Sequence, residues 1–158
     1  MIRQRSIKDI SAQGLHFKDM DFSRHQFYGC HFAGATFTRC LFTGAIMRMS
    51  FFDFSTFLSC DFSSVDLQFL SLAGASIKDC NFEGSELVNI HFGGATISGS
   101  IFNNSNLYNS CFVSASITQS DFVDCNLKRT NFINTRREKI SYKSSNTAEA
   151  IFDREGYK

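Results

Sequence analysis

Six cysteines and four histidines are the residues of this 158-residue chain best suited to metal binding, redox work or acid–base catalysis. Their spacing argues for something plainer. There is no Cys-x-x-Cys pair, and Cys40, Cys60 and Cys80 instead recur at intervals of 20. Metal sites need ligands that converge on one point, and a strict long period points to small core filling instead. The start of the chain, Met-Ile-Arg-Gln-Arg-Ser, carries charge without an apolar run behind it. It does not read as a secretory signal, so the thiols are expected to be reduced and the protein cytoplasmic. Hydroxyl side chains are frequent but none has a neighbouring base that would make it a nucleophile. The glycines precede no helix, as a phosphate loop would require. No catalytic residue, metal site or cofactor is expected, and the chain reads as a non-enzyme.

What must position these residues is a repeat of five. From Phe17 to Phe132, every fifth residue is large and apolar, 24 times in succession without a slip. Phe fills most of these positions, which explains 19 Phe in a chain with no Trp and no Pro. Two residues before each centre stands a small residue, such as Cys30, Ala35, Cys40, Ala45 or Ser50. Between them the residue is mostly polar, as in Asp21, Thr36, Asp61 and Asn81. Gly recurs two after the centre, at Gly29, Gly34, Gly44, Gly74, Gly84, Gly94 and Gly99. A period of five fits neither a helix, which advances about 100° per residue, nor a flat strand, which would alternate successive centres between faces. The chain must bend once per repeat. The centre and the small residue point inward, and Gly or Asn takes the turn.

Charge and hydropathy exclude other classes. The formal charge is +1, so no global field marks a nucleic-acid binder, and no apolar run reaches membrane-spanning length. At the N-terminus Ile2 and Ile7 keep register but Ala12 is weak. At the other end Arg137 is unsuited to an inward slot. Asn146 followed three residues later by Glu149 reads as a helix start, with Ala148, Ile151 and Phe152 on one face and Gly156 as a stop. The expected organisation is therefore an N-terminal cap over 1–14, the repeat over 15–135 and a C-terminal cap with a short helix over 136–158.

Segments such as Ala35-Thr36-Phe37-Thr38-Arg39, Cys80-Asn81-Phe82-Glu83-Gly84 and Cys125-Asn126-Leu127-Lys128-Arg129 resemble the pentapeptide-repeat family. The resemblance implies an all-β fold, a right-handed quadrilateral β-helix with four repeats per coil and about six coils. At the ~4.8 Å strand spacing that is a rod of roughly 30 Å. Residues 20 apart then stack. Cys40, Cys60 and Cys80 become an inward ladder whose parallel Cβ vectors oppose disulfides. His31 and His91 fall roughly 14 Å apart, too far to act together. His25 takes an inward slot as a hydrogen-bonded core residue.

Sorted this way, the four faces differ. One is acidic, with Asp21, Asp61, Glu83, Asp121 and Asp124 opposed by Arg24. A second is nearly uncharged, with Asp53 its one charge. A third lines up Thr36, Thr56, Ser76, Thr96 and Ser116, and the fourth is mixed. Leu41, Ile46, Met49, Phe51, Phe54, Leu58 and Phe69 are large apolar residues in slots that should face water. They are expected to form a contact patch, and a possible homodimer surface, in the second and third coils.

Two functions follow as expectations. The first is a rigid interaction module that binds an unidentified protein partner through flat faces. The second is implied by the resemblance: some members mimic DNA, bind DNA gyrase and shield it from quinolones. Here residues 15–135 carry seven Lys or Arg and ten Asp or Glu, a net of −3. Five acids along ~30 Å give about half the charge density of one DNA strand. The loops that interrupt some gyrase-binding members are absent. A bacterial effector or phage protein is a further alternative. No direct contact with nucleic acid or membrane is expected.

Overall fold

The structure, a computed structural model, describes residues 5–154. It is a parallel β-solenoid of about seven turns. Ten three-residue strands are β1 (Ser6–Lys8), β2 (His16–Lys18), β3 (Gln26–Tyr28), β4 (Thr36–Thr38), β5 (Ile46–Arg48), β6 (Thr56–Leu58), β7 (Ser76–Lys78), β8 (Thr96–Ser98), β9 (Ser116–Thr118) and β10 (Arg136–Glu138). They form two parallel sheets, β1-β3-β5 and β2-β4-β6-β7-β8-β9-β10. The register is 20 residues throughout, as in Phe17 opposite Phe37 and Ile97 opposite Ile117. Isolated bridges such as Asp21–Leu41 and His31–Phe51 carry the same register around the other sides.

Each five-residue unit is one side of the coil, and the physical reason is the corner. Every second residue after a centre, from Asp9 to Ser144, has φ between 48° and 68°. On the turn-shaped sides the small residue's N–H donates to the preceding centre's carbonyl, as in Ala45 to Phe42 at 2.8 Å. A four-residue hydrogen-bonded turn with a left-handed third residue is a type II turn, which favours Gly there.

On the side through Phe27, Met47, Leu67, Leu107 and Leu127 the change from strand to turn accompanies a change in the residue before the centre. Asp66, Asn106 and Asn126 accept the N–H groups of Gln68, Tyr108 and Lys128, which the turn leaves without a ladder partner. Earlier on the same side stand Gln26 and Ile46, and there the chain is extended as β3 and β5. The sheet with seven strands carries Thr36, Thr56, Ser76, Thr96 and Ser116 at that position. Asp and Asn side chains that bond their own backbone favour the turn on this side. Residue type does not decide every side, since Ser76 and Ser116 begin strands and Ile101 precedes a turn.

The core is a set of stacked columns. Phe62, Phe82 and Phe102 lie 4.8 Å apart with rings within 2° of parallel. All are buried, as are the small residues beside them. Ser and Thr suit that slot because their hydroxyls donate to a centre's carbonyl one coil earlier. Ser105 does so to Phe82 at 2.6 Å and Thr130 to Leu107 at 2.7 Å. Cys60 makes the weaker sulfur version to Phe37 at 3.4 Å.

The ends depart from expectation. The ladder runs past both ends of the 15–135 span, which makes about seven coils rather than six. β1 pairs with β3 inside the span assigned to an N-terminal cap, and Ala12 is buried at a centre position. Ile2 lies outside the described residues. At the other end β10 pairs with β9. Arg137 does stand at a centre, but its side chain swings over the open end to place the guanidinium 4.5 Å from the Phe152 ring. The tail holds a single 3-10 turn, Thr147–Glu149, rather than an α-helix. Asn146 does not cap it with its side chain. Its Oδ1 accepts the Leu127 N–H at 2.6 Å instead. Ile151 faces outward in a bridge with Asn131, while Phe152 points inward and stacks on Phe132 at 5.1 Å. Gly156 lies outside the described residues. The backbone of a coil is held by the coil beneath it, so the repeat continues where the side-chain pattern fades.

Candidate protein-contact face

The seven apolar residues expected as one patch occupy all four sides. Leu41 sits in the acidic column between Asp21 and Asp61. Leu58 is on the Thr-bearing sheet beside Lys78. Ile46 is half-buried between Gln26 and Asp66. These three are isolated residues. Met49, Phe51, Phe54 and Phe69 are different, because all frame the uncharged side.

That side runs through Phe32, Phe52, Leu72, Phe92 and Phe112. Phe51 stands on it and stacks on His31 at 4.9 Å. Met49 and Phe69 form one of its corners, and Phe54 the opposite one. Met49, Phe54 and Phe69 are 72%, 73% and 68% exposed, and all three have φ near +60°. A left-handed backbone costs a non-glycine residue about 1–2 kcal/mol, so these positions bear strain as well as exposed apolar surface. The floor between them is low. Phe54's ring lies over Gly74, where an added Cβ would come within 2.6 Å of it, and His91 lies over Gly93 in the same way. Gly34 and Gly94 are open. Between Ala33 and Val113 the side's one carboxylate, Asp53, is turned inward onto the Ser71 hydroxyl and the Ala73 N–H. The side therefore presents no free charge from Ala33 to Val113.

The acidic side is sparser than its composition suggests. Asp21, Asp61 and Asp121 share a column interrupted by Leu41, Asn81 and Ile101. Two carboxylates serve their own backbone: Asp21 accepts the Ser23 N–H at 2.9 Å, and Asp61 the Ser63 N–H at 2.9 Å. Bonds from the Ser23 hydroxyl and N–H hold Asp21's carboxyl below its ordinary range. Glu83 accepts from Asn104 at 3.4 Å in a neighbouring column, and Asp124 lies at a corner. The acids of the main column are spaced two and three coils apart, roughly 10 and 14 Å. Sequence reasoning counted these acids but missed their turn-stabilising bonds. The signal was present, since Asn81, Asn106 and Asn126 occupy the equivalent slot and carry no charge.

The thiols form the inward ladder. All six cysteines are unpaired, and all but the half-buried Cys111 are buried. The Cys80 thiol is pushed up by its hydrogen bond with Cys60 and by burial, and burial also raises Cys40 and Cys125. Thiols held protonated are poor nucleophiles and poor metal ligands. Among the described residues no three His, Cys, Asp or Glu side chains are placed to share a metal ion. His25 is half-buried and its Nδ1 lies 3.0 Å from the Ser23 carbonyl. No helix among the described residues is long and apolar enough to cross a membrane.

Two family models agree with this architecture. The pentapeptide repeat region model matches residues 75–152, and the pentapeptide repeats (8 copies) model matches 13–48 and 21–57. No curated protein matches the chain. Among solved structures, a pentapeptide repeat protein of the Arabidopsis thaliana thylakoid lumen is 22% identical, covering 73% of this chain and 70% of its own with a TM-score of 0.46. QnrB1, a plasmid-mediated fluoroquinolone resistance protein, is 12% identical over 94% and 93% of the two chains, with a TM-score of 0.39. HetL, a pentapeptide repeat protein involved in heterocyst differentiation regulation in the cyanobacterium Nostoc, is 10% identical over 94% and 92%, at 0.31. With the repeat matched along both halves and the 20-residue register continuous between them, the chain belongs to the pentapeptide-repeat family.

Proposed function

We propose that the protein is a non-enzymatic interaction module, a rigid rod that binds a protein through the uncharged side framed by Met49, Phe51, Phe54 and Phe69. The observation that carries this reading is the three corners. Met49, Phe54 and Phe69 combine a left-handed backbone with side chains about 70% exposed. Every corner of the coil takes that backbone, but most carry Gly, Asn, Asp or Ser there, so a large apolar side chain at three of them adds exposed surface that the turn does not require. Clustered exposed aromatics on a neutral floor are the usual make-up of an interface centre. The test is affinity capture with wild type and with Phe51→Ser/Phe54→Ser. Loss of partners by a folded variant supports the reading, and an unchanged set of partners overturns it.

The second reading is a DNA mimic that engages DNA gyrase through the acidic side. Its support is the exposure of Asp21, Glu83, Asp121 and Asp124 along one flank. The wide spacing and the exposed Leu41 and Ile101 make it the weaker of the two. If it holds, replacing Asp61, Glu83 and Asp121 by their amides abolishes an effect of the protein on gyrase supercoiling and leaves the fold intact. A wild-type protein without effect on supercoiling removes it.

A further inference from the structure

We propose that the uncharged side is occupied by a second copy of this chain, in an antiparallel two-fold dimer whose axis passes beside Phe69. The inference rests on the reading of that side as a protein contact, and it names the partner.

A two-fold interface must complement itself. On the acidic side, self-pairing would bring carboxylates together. The uncharged side has no such penalty from Ala33 to Val113, because its one acid there, Asp53, is bound internally. Asp153, beyond it, accepts the Asn134 N–H. Its corners add a positive argument. One corner column runs from Asp9 to Arg129 at intervals of 20, with Phe69 at its midpoint. Its charged residues in that span are those two ends, one acid and one base, and neither makes a salt bridge within the described residues. Reversing the column about Phe69 sets Arg129 against Asp9 of the partner subunit, and Asp9 against Arg129 of the partner subunit. Phe69 then meets Phe69 of the partner subunit on the axis.

The same operation acts on the opposite corner without adjustment. It places Phe54, the knob of that column, over Gly94 of the partner subunit. An added Cβ at Gly94 meets nothing within 4 Å, so the position is an open hollow. On the face between, Phe51 comes against His91 of the partner subunit, and Ala73 meets its own copy. One symmetry operation therefore satisfies the charges, the knob and the aromatic corner together. A parallel pairing would instead set the corner of Met49 and Phe69 against Phe54, knob on knob.

Six coils at ~4.8 Å, with a side about 18 Å wide, offer roughly 500 Å². A standard interface buries about 800 Å² per partner. The dimer is therefore expected to be concentration dependent rather than obligate.

The experiment is sedimentation over a range of protein concentrations, with circular dichroism to confirm folding. Wild type should show reversible monomer–dimer exchange. Arg129→Asp should weaken the dimer about tenfold by setting like charges together twice. The swap Asp9→Arg/Arg129→Asp should restore it, because each pair is re-formed with its signs exchanged. Phe69→Asp, at the axis, should leave only monomer. A wild type that stays monomeric at the highest concentration overturns the proposal, as does a swap that fails to restore the loss. A monomeric wild type whose protein capture is still lost in Phe51→Ser/Phe54→Ser removes the dimer while leaving the contact face standing.

Discussion

Phe82 and Phe54 are the same residue type at two places in the five-residue repeat, a centre and the position two after it. Phe82 is a centre, fully buried between Phe62 and Phe102 with its ring parallel to both. Phe54 is a corner, 73% exposed on a left-handed backbone. The difference teaches that position within the repeat separates stability from contact. A Phe at a centre stabilises the rod. A Phe at a corner costs the rod something and is available to a partner.

The sharpest break in the interior is a charge. Phe82→Asp leaves an unpaired carboxylate in the aromatic column, and breaking or stranding a buried charge costs several kcal/mol. The variant is expected to be unfolded at physiological temperature by circular dichroism. A melt near wild type would mean the register is misassigned. Phe82→Ala is milder, at about 3–5 kcal/mol, and should fold with a clearly lowered melting temperature.

Next come the bonds that hold one coil on another. Ser105→Ala removes the hydroxyl that donates to the Phe82 carbonyl. It should cost about 1–3 kcal/mol by urea denaturation, since a buried acceptor loses a donor. Asn126→Ala breaks the side-chain ladder to Asn106 at 3.0 Å and from Asn146 at 3.2 Å, and frees the Lys128 N–H. These groups are exposed, so roughly 1 kcal/mol is expected. Water can replace bonds there but not inside. Thiol labelling under native conditions should follow the same division. Cys111 should react first, and Cys40, Cys60 and Cys80 slowly, at a rate limited by opening of the coils. Equal rates would contradict the inward ladder.

The interior was legible in the sequence and the exterior only partly. The five-residue period from Phe17 to Phe132 places the large apolar centres, because burial imposes one requirement, a large apolar residue, at each. The ends were not legible, since Ala12 and Arg137 break that requirement while the backbone ladder continues through them. Outside, one residue type serves several purposes. Asp61 looks like surface charge and is also a turn acceptor. Leu41 and Phe51 look like parts of one patch and lie on different sides. Phe54 and Phe69 stand two after a centre, where the sequence already placed the turn; what the sequence did not show is that the corner leaves both about 70% exposed beside the uncharged side.

That the corner aromatics are held for contact at the expense of the fold is tested most directly by a thermal melt of Phe54→Asn/Phe69→Asn. Asn is among the non-glycine residues that best tolerate a left-handed backbone. Relief of strain offsets the lost cover over Gly74, so the melting temperature should be unchanged or raised by a few degrees, about 2–4 °C per kcal/mol. A fall comparable to that of Phe82→Ala would show that the corners stabilise the rod, and would contradict the division between centre and corner.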